Sequence, residues 1–260
     1  MRHYMNRSVL FLIGIICVGC MAFTTLAQAE TLSSSSLFHR ITVAFSVDQK
    51  AAQAWLPAPW KAVSTPKGPF KGANLYVMFD DRFIMQDAEG KPFLGGGESF
   101  CNAALVSAGK NEKTGEIDLF VTRVYWPYDD PSVYKNAVKA TVSREATIKA
   151  STSGAGSEAW KVRGGAGGIL EFRMDYQRGI PSRTKREIKA RSSVDPNILV
   201  LYRDDYAGEV VKSIPAGIDK VKNYEFRVTK SSELGKMFDG SEQLVGIAVN
   251  LSRVRQKFLP

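Results

Sequence analysis

Hydrophobic and polar residues alternate along several segments of this chain, as they do in β-strands that bury one face. Apolar residues occupy every second position in the segments 41–47, 170–176 and 224–228. Other segments are apolar at consecutive positions, which is typical of strands covered on both faces: 103–106, 117–121, 198–201 and 244–251. Turn-forming residues such as Glu89-Gly90 and Asp239-Gly240 separate these segments. The pattern predicts about ten to twelve strands.

Helical signals are few. Asp48 can cap a short helix over 49–56 that Pro57 ends. Pro131, after Asp130, favours a second helix reaching residue 138, and a third is expected near 233–237. The balance predicts a mostly β (α+β) protein, built as an antiparallel β-barrel or closed sheet with two or three short helices. Closure would remove the free strand edges that promote aggregation.

The first 29 residues are typical of a signal peptide. Arg2 and Arg7 precede the apolar run 9–18, and Ala27-Gln28-Ala29 places small residues where a signal peptidase cuts. We therefore expect cleavage before Glu30 and an exported protein, periplasmic or secreted. Two alternatives stay open: an uncleaved anchor over 9–26, and a lipid-anchored form through Cys20, because Val18-Gly19-Cys20 resembles the end of a lipobox.

Beyond the leader, residues 30–37 are polar and contain four consecutive serines, so we expect a flexible linker there. Residues 38–260 are expected to form one β-rich domain, because no later stretch resembles a domain linker. The sequence has no internal repeat of the length that solenoids and propellers use.

Composition and charge exclude several classes of function. The 260 residues carry 35 Lys+Arg and 26 Asp+Glu, a net charge of +9, and loss of Arg2 and Arg7 with the leader leaves 33 against 26, or +7. The mature chain keeps one cysteine, Cys101, and one histidine, His39. An internal disulfide is therefore excluded, and nothing in the sequence indicates a zinc site or a Ser-His-Asp triad. We expect no metal and no cofactor.

The segment 178–191 is the densest basic stretch, with six Lys and Arg and one acid. It lacks the interleaved aromatic residues that stack on nucleic-acid bases, so we expect no nucleic-acid partner. A solvated edge strand guarded by its charges is one interpretation. Peripheral contact with an anionic envelope surface is the other.

The segment 117–126 offers the first candidate for a binding site. If its alternating face points into a closed sheet, Arg123 reaches an apolar cavity, where its guanidinium needs a carboxylate partner. Glu98, a neighbouring Asp or the carboxylate of a small-molecule ligand would provide that partner. The alternative is that Arg123 lies past the end of the strand and extends into water. Aromatic residues expected to line the cavity are Tyr76, Phe100, Tyr125 and Trp126.

Two features resemble the acetoacetate decarboxylase-like superfamily. One is a short helix that ends in Leu56-Pro57 and is followed by an apolar strand beginning at Gly72. The other is the succession of long strands over 98–107, 116–126 and 244–251. The resemblance covers 41–130 and the carboxyl end, and it implies a β-barrel with an interior cavity.

The resemblance also implies a lyase chemistry. In the active decarboxylases a lysine within Arg-Glu…Gly-x-Pro-Lys forms a Schiff base with a β-keto acid, after a neighbouring cation has lowered its pKa. Here Arg144-Glu145 is present without Gly-x-Pro-Lys, and Lys149 comes two positions early. Lys139 is a second candidate amine. The family's aromatic-x-Glu corresponds to Phe100-Cys101-Asn102, which adds Asn102 to the candidate ligand-binding residues.

Three functions follow from these observations. The first is an exported β-barrel that binds a small, partly apolar, anionic molecule, with Arg123 orienting the anion. The second is a decarboxylase-like lyase in which Lys149 or Lys139 attacks a keto acid whose carboxylate Arg123 holds. The third is an envelope-associated structural protein that uses its basic face. The sequence leaves the ligand and the oligomeric state open.

Overall fold

A computed structural model describes residues 30–93, 99–149, 154–165, 167–229 and 234–260. These residues are mostly β, as the sequence predicts. The strands are β1 Thr31–Ser46, β2 Trp60–Ala62, β3 Leu75–Asp87, β4 Phe100–Asn111, β5 Ile117–Trp126, β6 Ala137–Lys149, β7 Ala155–Gly164, β8 Ile169–Gln177, β9 Ser182–Ser192, β10 Leu199–Ser213, β11 Ile218–Asp219, β12 Val221–Thr229 and β13 Gln243–Leu259. The predicted signal peptide lies outside the described residues.

The helices are short. Helix α1, Gln49–Gln53, begins at Asp48, whose carboxylate accepts hydrogen bonds from the backbone N–H groups of Lys50 and Ala51. A 3₁₀ turn spans Leu234–Lys236, within the third predicted helix. The helix predicted after Pro131 does not form, because left-handed residues at Ser132 and Lys135 interrupt the segment before β6. No helix in the described part of the chain is long and apolar enough to cross a membrane.

Seven strands surround the centre of the molecule. Each pairs with two neighbours, and the succession β1–β3–β4–β5–β9–β10–β13 returns to β1. The large sheet is mixed and not antiparallel throughout, since β5 runs parallel to both β6 and β9. This corrects the prediction of an antiparallel sheet: alternation within a strand does not encode the direction of its partner.

A four-stranded wing of β6, β7, β8 and β12 continues from β5. Its apolar face packs on the outer face of the central strands, where Phe79 of β3 stacks between Trp160 and Phe172 at ring-centroid distances of 5.4 and 5.7 Å. Burial of this interface removes many large apolar side chains from water, which is the main stabilising contribution in the described residues, whose one cysteine is free.

The first strand begins earlier than the sequence suggests. Residues 31–37, within the predicted linker 30–37, belong to β1 and pair with both β13 and β3. Ser34 and Ser36 are buried, and their side chains face the centre of the molecule. A run of serines is a signal for a loop only where no neighbouring strands satisfy its backbone, and here both neighbours do.

A β-bulge in β5 decides which side chains face inward. Leu105 pairs with Arg123 and the next residue, Val106, pairs with Val121, so Thr122 is the extra residue of β5. The Thr122 hydroxyl donates a hydrogen bond to the backbone carbonyl of Leu105 at 3.0 Å. Because one inserted residue reverses the alternation, the inward face of β5 continues from Val121 to Val124 and not to Arg123.

Candidate ligand-binding site

A cavity of about 980 Å³ occupies the centre of the seven strands. Its volume is that of a pocket for a small molecule. Side chains from all seven central strands line it, and segments near residues 65–70 and 130–134 contribute further walls. The lining divides into a charged region and an apolar region.

The charged region, here called the cationic pole, consists of six basic residues: Arg40, Arg82, Arg186, Arg253, Arg255 and Lys257. Three carboxylates lie among or behind them, those of Asp80, Asp130 and Asp204. The pole therefore carries an excess of three positive charges. Lys67 and Glu209 also line the cavity, and Glu209 is paired with Lys220 at 3.0 Å.

Asp80 is the first anchor of the pole. Arg40 binds both of its carboxylate oxygens, through Nε at 2.5 Å and Nη2 at 2.6 Å, and Arg82 Nη2 donates to Oδ2 at 3.1 Å. Burial alone would raise the pKa of Asp80, but Arg40, Arg82 and Arg255 outweigh that effect and lower it to about 2. Asp80 is therefore ionised under all physiological conditions.

Asp204 is the second anchor. Arg255 binds it through Nε and Nη2 at 2.7 and 2.9 Å, and Arg253 Nη1 donates to Oδ2 at 2.8 Å. Burial opposes ionisation, yet Arg255 and Arg253 hold the pKa of Asp204 well below its usual range. Arg186 contributes a third cation, with its Nε 3.8 Å from Oδ2.

The arginines of the pole cluster around two aromatic rings. Four guanidinium carbons lie within 6 Å of the Phe38 ring centroid: Arg40 at 5.0 Å, Arg82 at 4.8 Å, Arg253 at 5.9 Å and Arg255 at 5.7 Å. Arg253 and Arg186 share the Tyr206 ring, at 4.3 and 5.2 Å. The pole is thus one compact cluster around the rings of Phe38 and Tyr206. Both residues are cross-strand neighbours of Arg253, Phe38 on β1 and Tyr206 on β10.

Two tyrosines connect the pole to the segment 127–136, which covers part of the cavity. The hydroxyls of Tyr134 and Tyr202 are 2.6 Å apart, and the Arg255 guanidinium lies 4.0 Å from the Tyr202 ring centroid. Burial raises the pKa of Tyr134 well above its usual value, so its hydroxyl stays protonated. The Trp126 indole N–H holds the covering segment by donating to the backbone carbonyl of Asp130 at 2.8 Å.

The other region of the cavity is apolar. Its walls come from β3, β4 and β5, with aromatic contributions from Phe70, Phe93 and Phe100. The apolar lining residues on these strands are Met78, Ala104, Val106, Leu119, Val121, Val124 and Trp126. An occupant that satisfied both regions would have a negatively charged group and an apolar body.

Four of the predicted binding residues line this cavity. Tyr76, Phe100, Asn102 and Trp126 all face it, and the Asn102 side-chain carbonyl accepts a hydrogen bond from Arg82 Nε at 2.6 Å. Their function as ligand-binding residues stays a prediction. The hydroxyl of Tyr76 contacts that of Thr65, which fixes the phenol at the wall.

Arg123 and Tyr125 do not line the central cavity, because the bulge at Thr122 turns them to the opposite face of β5. Arg123 Nη1 donates to the backbone carbonyl of Asn136 at 3.1 Å, and the guanidinium lies 5.8 Å from the Trp55 ring centroid. Tyr125 packs in the core between the central strands and the wing. The expectation that Arg123 faces the cavity is therefore wrong, while the cations that do face it come from other strands.

The other three candidates are placed as follows. Glu98 lies outside the described residues. Lys139 is exposed and pairs with Asp129 at 2.6 Å, beside a separate depression of about 600 Å³. Lys149 is exposed at the end of β6 and lines neither cavity.

A second charged cluster lies between the central strands and the wing. Arg144 binds Glu158 through two hydrogen bonds of 2.9 and 2.8 Å and Asp81 through one of 2.7 Å. His39 Nε2 lies 3.2 Å from Glu158 Oε1. Burial, with Asp81 adding to it, raises the pKa of the nearby Cys101 thiol to about 12. The thiol is therefore protonated, and Arg144 lies between the two carboxylates of the cluster.

The cationic pole was not predicted from the sequence, although the pattern of basic residues in two strands indicated part of it. In β13 the alternation continues beyond the predicted end at residue 251, with basic residues at 253, 255 and 257. In the basic segment 178–191, Thr184, Arg186, Ile188 and Ala190 face the cavity. This segment is β9, which has partners on both sides and is not an edge strand. Its outward basic residues pair with acids, as Arg183 does with Asp205.

The described residues contain no group of three or more His, Cys, Asp and Glu side chains placed to hold a metal ion.

Comparisons with known proteins identify the fold. No family model matches the sequence, and no curated protein matches it. Among solved structures, the enduracididine biosynthesis enzyme MppR with HEPES buffer bound shares 12% identity at a TM-score of 0.55, over 88% of this chain and 86% of that chain. MppR complexed with pyruvate shares 12% identity at a TM-score of 0.54, over 92% of each chain.

An acetoacetate decarboxylase-like enzyme from Sphingomonas wittichii RW1 is also similar, with 12% identity and a TM-score of 0.52 over 92% of this chain and 96% of that chain. The chain therefore has the acetoacetate decarboxylase-like fold, which confirms the resemblance noted in the sequence. The likeness is one of fold.

Proposed function

We propose that this protein binds a small, partly apolar anion in its central cavity, and that the seven central strands close as a barrel around it. The excess of three positive charges in the cationic pole carries the proposal. Buried cations without matching acids raise the free energy of the empty protein, and an anion that enters the cavity relieves this cost. The apolar region opposite the pole would take the body of the ligand.

The ligand contacts come from a different set of residues than the sequence indicated. Arg186 and Lys257 are the cations of the pole that donate no hydrogen bond to a described residue. Arg40 and Arg255 each bind both oxygens of an aspartate. Arg82 donates to Asp80, Asn102 and Ser36, so it contributes mainly its charge. Trp126 and Phe100 would contact the apolar body. Arg123 has no part in this site.

Binding of naphthalene-1-sulfonate tests the proposal against its neutral isostere, naphthalene-1-sulfonamide. We expect the sulfonate to bind with a measurable heat by calorimetry and to change the fluorescence of Trp126. The sulfonamide is expected to bind at least about tenfold more weakly, since only the anion interacts with the pole. Equal binding of both compounds, or of neither, would contradict the proposed function.

Filling the cavity provides an independent check. Ala104→Trp places an indole in the apolar region without changing any charge, and it should abolish sulfonate binding. Ala146→Trp is the matched control, because Ala146 is exposed on β6. Thermal melting of both variants shows whether each is folded. Arg82→Gln, which removes the charge and does not fill the cavity, should weaken binding in the same assay.

A lyase acting on a keto acid is the second candidate function. It is favoured by the similarity to MppR, one structure of which is complexed with pyruvate, and to a decarboxylase-like enzyme. Such a reaction needs an amine within reach of the bound keto acid. Lys139 and Lys149 are the amines indicated by the sequence, but both are exposed outside the central cavity. Lys257 is an amine that does line the cavity, so an experiment has to decide between binding and lyase chemistry.

Borohydride reduction in the presence of pyruvate separates the two functions. A Schiff base would be reduced to a stable adduct, and peptide mass analysis would locate it. We expect no adduct on Lys139 or Lys149, with Lys139→Gln and Lys149→Gln as reference samples. An adduct on either lysine, or on Lys257 inside the cavity, would establish the lyase chemistry instead.

We also propose that the chain is exported, with residues 1–29 removed. Strand β1 begins at Thr31, so this cleavage would leave all described strands intact.

Contact with an anionic envelope surface would involve Arg183 and Lys185 on the outer face of β9. Both lie within 4 Å of Asp205, which reduces the charge available for such contact.

A further inference from the structure

The cationic pole has more positive charge than a singly charged ligand can balance. Asp80 and Asp204 neutralise Arg40 and Arg255, and Asp130 is the remaining acid near Lys257. Three charges remain among Arg82, Arg186, Arg253 and Lys257. A monocarboxylate would leave two of them unmatched inside the protein.

Three of these cations, Arg253, Arg186 and Lys257, have few contacts with acceptor groups of the protein. The buried Nε of Arg253 has no hydrogen-bond partner among the described residues. Arg186 reaches Asp204 only at 3.8 Å, and its side chain is 43% exposed to the cavity and solvent. The Lys257 ammonium makes no hydrogen bond or ion pair with any residue that the structure describes. Burial, together with Arg82, lowers the pKa of Lys257.

The arrangement of the cations indicates the shape of the anion. Guanidinium groups from β1, β3 and β13 meet at the Phe38 ring, and Arg186 of β9 joins Arg253 at Tyr206. Two separate carboxylates would need two groups of cations at a distance from each other. A single cluster fits one compact group with several acceptor oxygens, the type that arginine binds in a bidentate way.

We propose that the ligand carries a phosphoryl dianion, R–PO₃²⁻, held in the cationic pole with R in the apolar region. This inference rests on the proposed function and specifies the class of anion. Arg186 and Lys257 donate to the phosphoryl oxygens, and Arg82 adds its charge and its Nη1 group, which Ser36 accepts only at 3.4 Å. Arg253, which is almost fully buried, supplies charge and not contact.

Phenyl phosphate and phenyl sulfate test the inference, because they have the same shape and differ by one charge. At about pH 8 the phosphate is a dianion, whereas at about pH 5 it is mostly a monoanion like the sulfate. We expect phenyl phosphate to bind at least about tenfold more tightly than phenyl sulfate at the higher pH, and about equally at the lower pH.

Titration of the protein's own side chains does not produce the expected change in the phosphate-to-sulfate affinity ratio between the two pH values. Asp80 and Asp204, with lowered pKa values, stay ionised across the range, and Tyr134, with a raised pKa, stays neutral. Lys257, with a lowered pKa, gains charge at lower pH, which acts in the opposite direction. Asp130 and Glu209 also line the cavity, and Glu209 is paired with Lys220 at 3.0 Å.

Single substitutions show which residues cause the preference for phenyl phosphate over phenyl sulfate. Arg186→Gln and Lys257→Met should each reduce the phosphate-to-sulfate ratio at about pH 8 to about threefold or less, while Lys185→Gln, on the outer face of β9, should leave it unchanged. Binding of both compounds with a ratio near one would overturn the dianion and leave the proposed function standing. If neither compound binds while naphthalene-1-sulfonate does, the dianion is also overturned. If none of the three binds, the proposed function itself fails.

Discussion

Arg40 holds both carboxylate oxygens of Asp80 inside the central cavity, through Nε at 2.5 Å and Nη2 at 2.6 Å. The two residues are direct neighbours across β1 and β3, so the backbone register brings them together without any loop movement. Both side chains are almost fully buried. A pair in this setting is costly to break, because each partner left alone would be an uncompensated buried charge.

Acid should therefore destabilise the protein through Asp80. Its pKa falls from 3.8 to about 2 on folding, so the stabilisation is complete above the unfolded value and is lost as the pH falls through the folded value. A difference of nearly two pKa units corresponds to about 2 kcal/mol. Urea unfolding at neutral pH and in steps down to about pH 2 measures this loss.

Asp80→Asn isolates the contribution of the Asp80 carboxylate to the free energy of unfolding. The variant should lose about 3 to 5 kcal/mol at neutral pH, since Arg40 and Arg82 are left without their carboxylate. The difference from the natural protein should shrink by about 2 kcal/mol between pH 4 and pH 2, because asparagine does not titrate. Asp129→Asn, at an exposed position, is the control. A difference that stays constant with pH would contradict the lowered pKa of Asp80.

Arg123→Leu should leave anion binding unchanged. The guanidinium lies on the outer face of β5, against Trp55 and the Asn136 carbonyl, and not in the cavity. We expect less than about a twofold change in the affinity for naphthalene-1-sulfonate, against a loss of about tenfold or more for Arg82→Leu. Calorimetry on both variants, with thermal melting to confirm folding, makes the comparison. A large loss with Arg123→Leu alone would restore it as the ligand-binding arginine.

The contrast between Arg123 and Arg82 shows what the sequence can and cannot predict. Period-2 alternation located nearly every strand, because each strand buries one face whatever its partners are. The bulge at Thr122 has no local signal, and a single extra residue was enough to reverse the prediction for Arg123. The parallel pairing of β5 with β9 joins segments about seventy residues apart, which local patterns do not encode.

The cationic pole was missed for a related reason. Charged residues inside a strand are usually assigned to its solvent face. Here Arg253, Arg255 and Lys257 alternate along β13 toward the central cavity, so the same pattern has the opposite meaning. Only the pairing of β13 with strands on both sides distinguishes a row of charges that faces the cavity from one that faces solvent. The resemblance to a cavity-containing fold predicted a hollow centre, but it did not indicate which residues would be charged within it.

Gly156→Ala should lower the stability of the wing. Gly156 of β7 lies directly opposite Tyr176 of β8, and a Cβ at this position would be 2.5 Å from Cζ of the tyrosine ring. The ring is fully buried and cannot move without disturbing the core. We expect a loss of about 1 to 3 kcal/mol in the free energy of unfolding. Chemical denaturation measures it.

Gly165→Ala is the matched control for that substitution. The nearest atom to a Cβ at Gly165 is the Lys139 carbonyl oxygen at 3.6 Å, an ordinary contact. The free energy of unfolding should change by less than about 0.5 kcal/mol. Similar losses for the two variants would mean that the overlap with Tyr176 is not what Gly156 avoids.

Cleavage before Glu30 should give a mature chain that folds without further processing. Glu30 Oε2 accepts a hydrogen bond from Arg203 Nη2 at 2.5 Å, and β1 begins at the next residue, so the mature amino terminus would be held against β10. Expression of the full chain in a Gram-negative host, followed by intact-mass analysis of the exported fraction, tests this expectation. Ala29→Arg should block the cut, because signal peptidase needs a small residue there, while Gln28→Ala should not. A product that retains residues 1–29 would support the uncleaved anchor. A lipid-bearing product that begins at Cys20 would support the lipoprotein, and either result would contradict cleavage before Glu30.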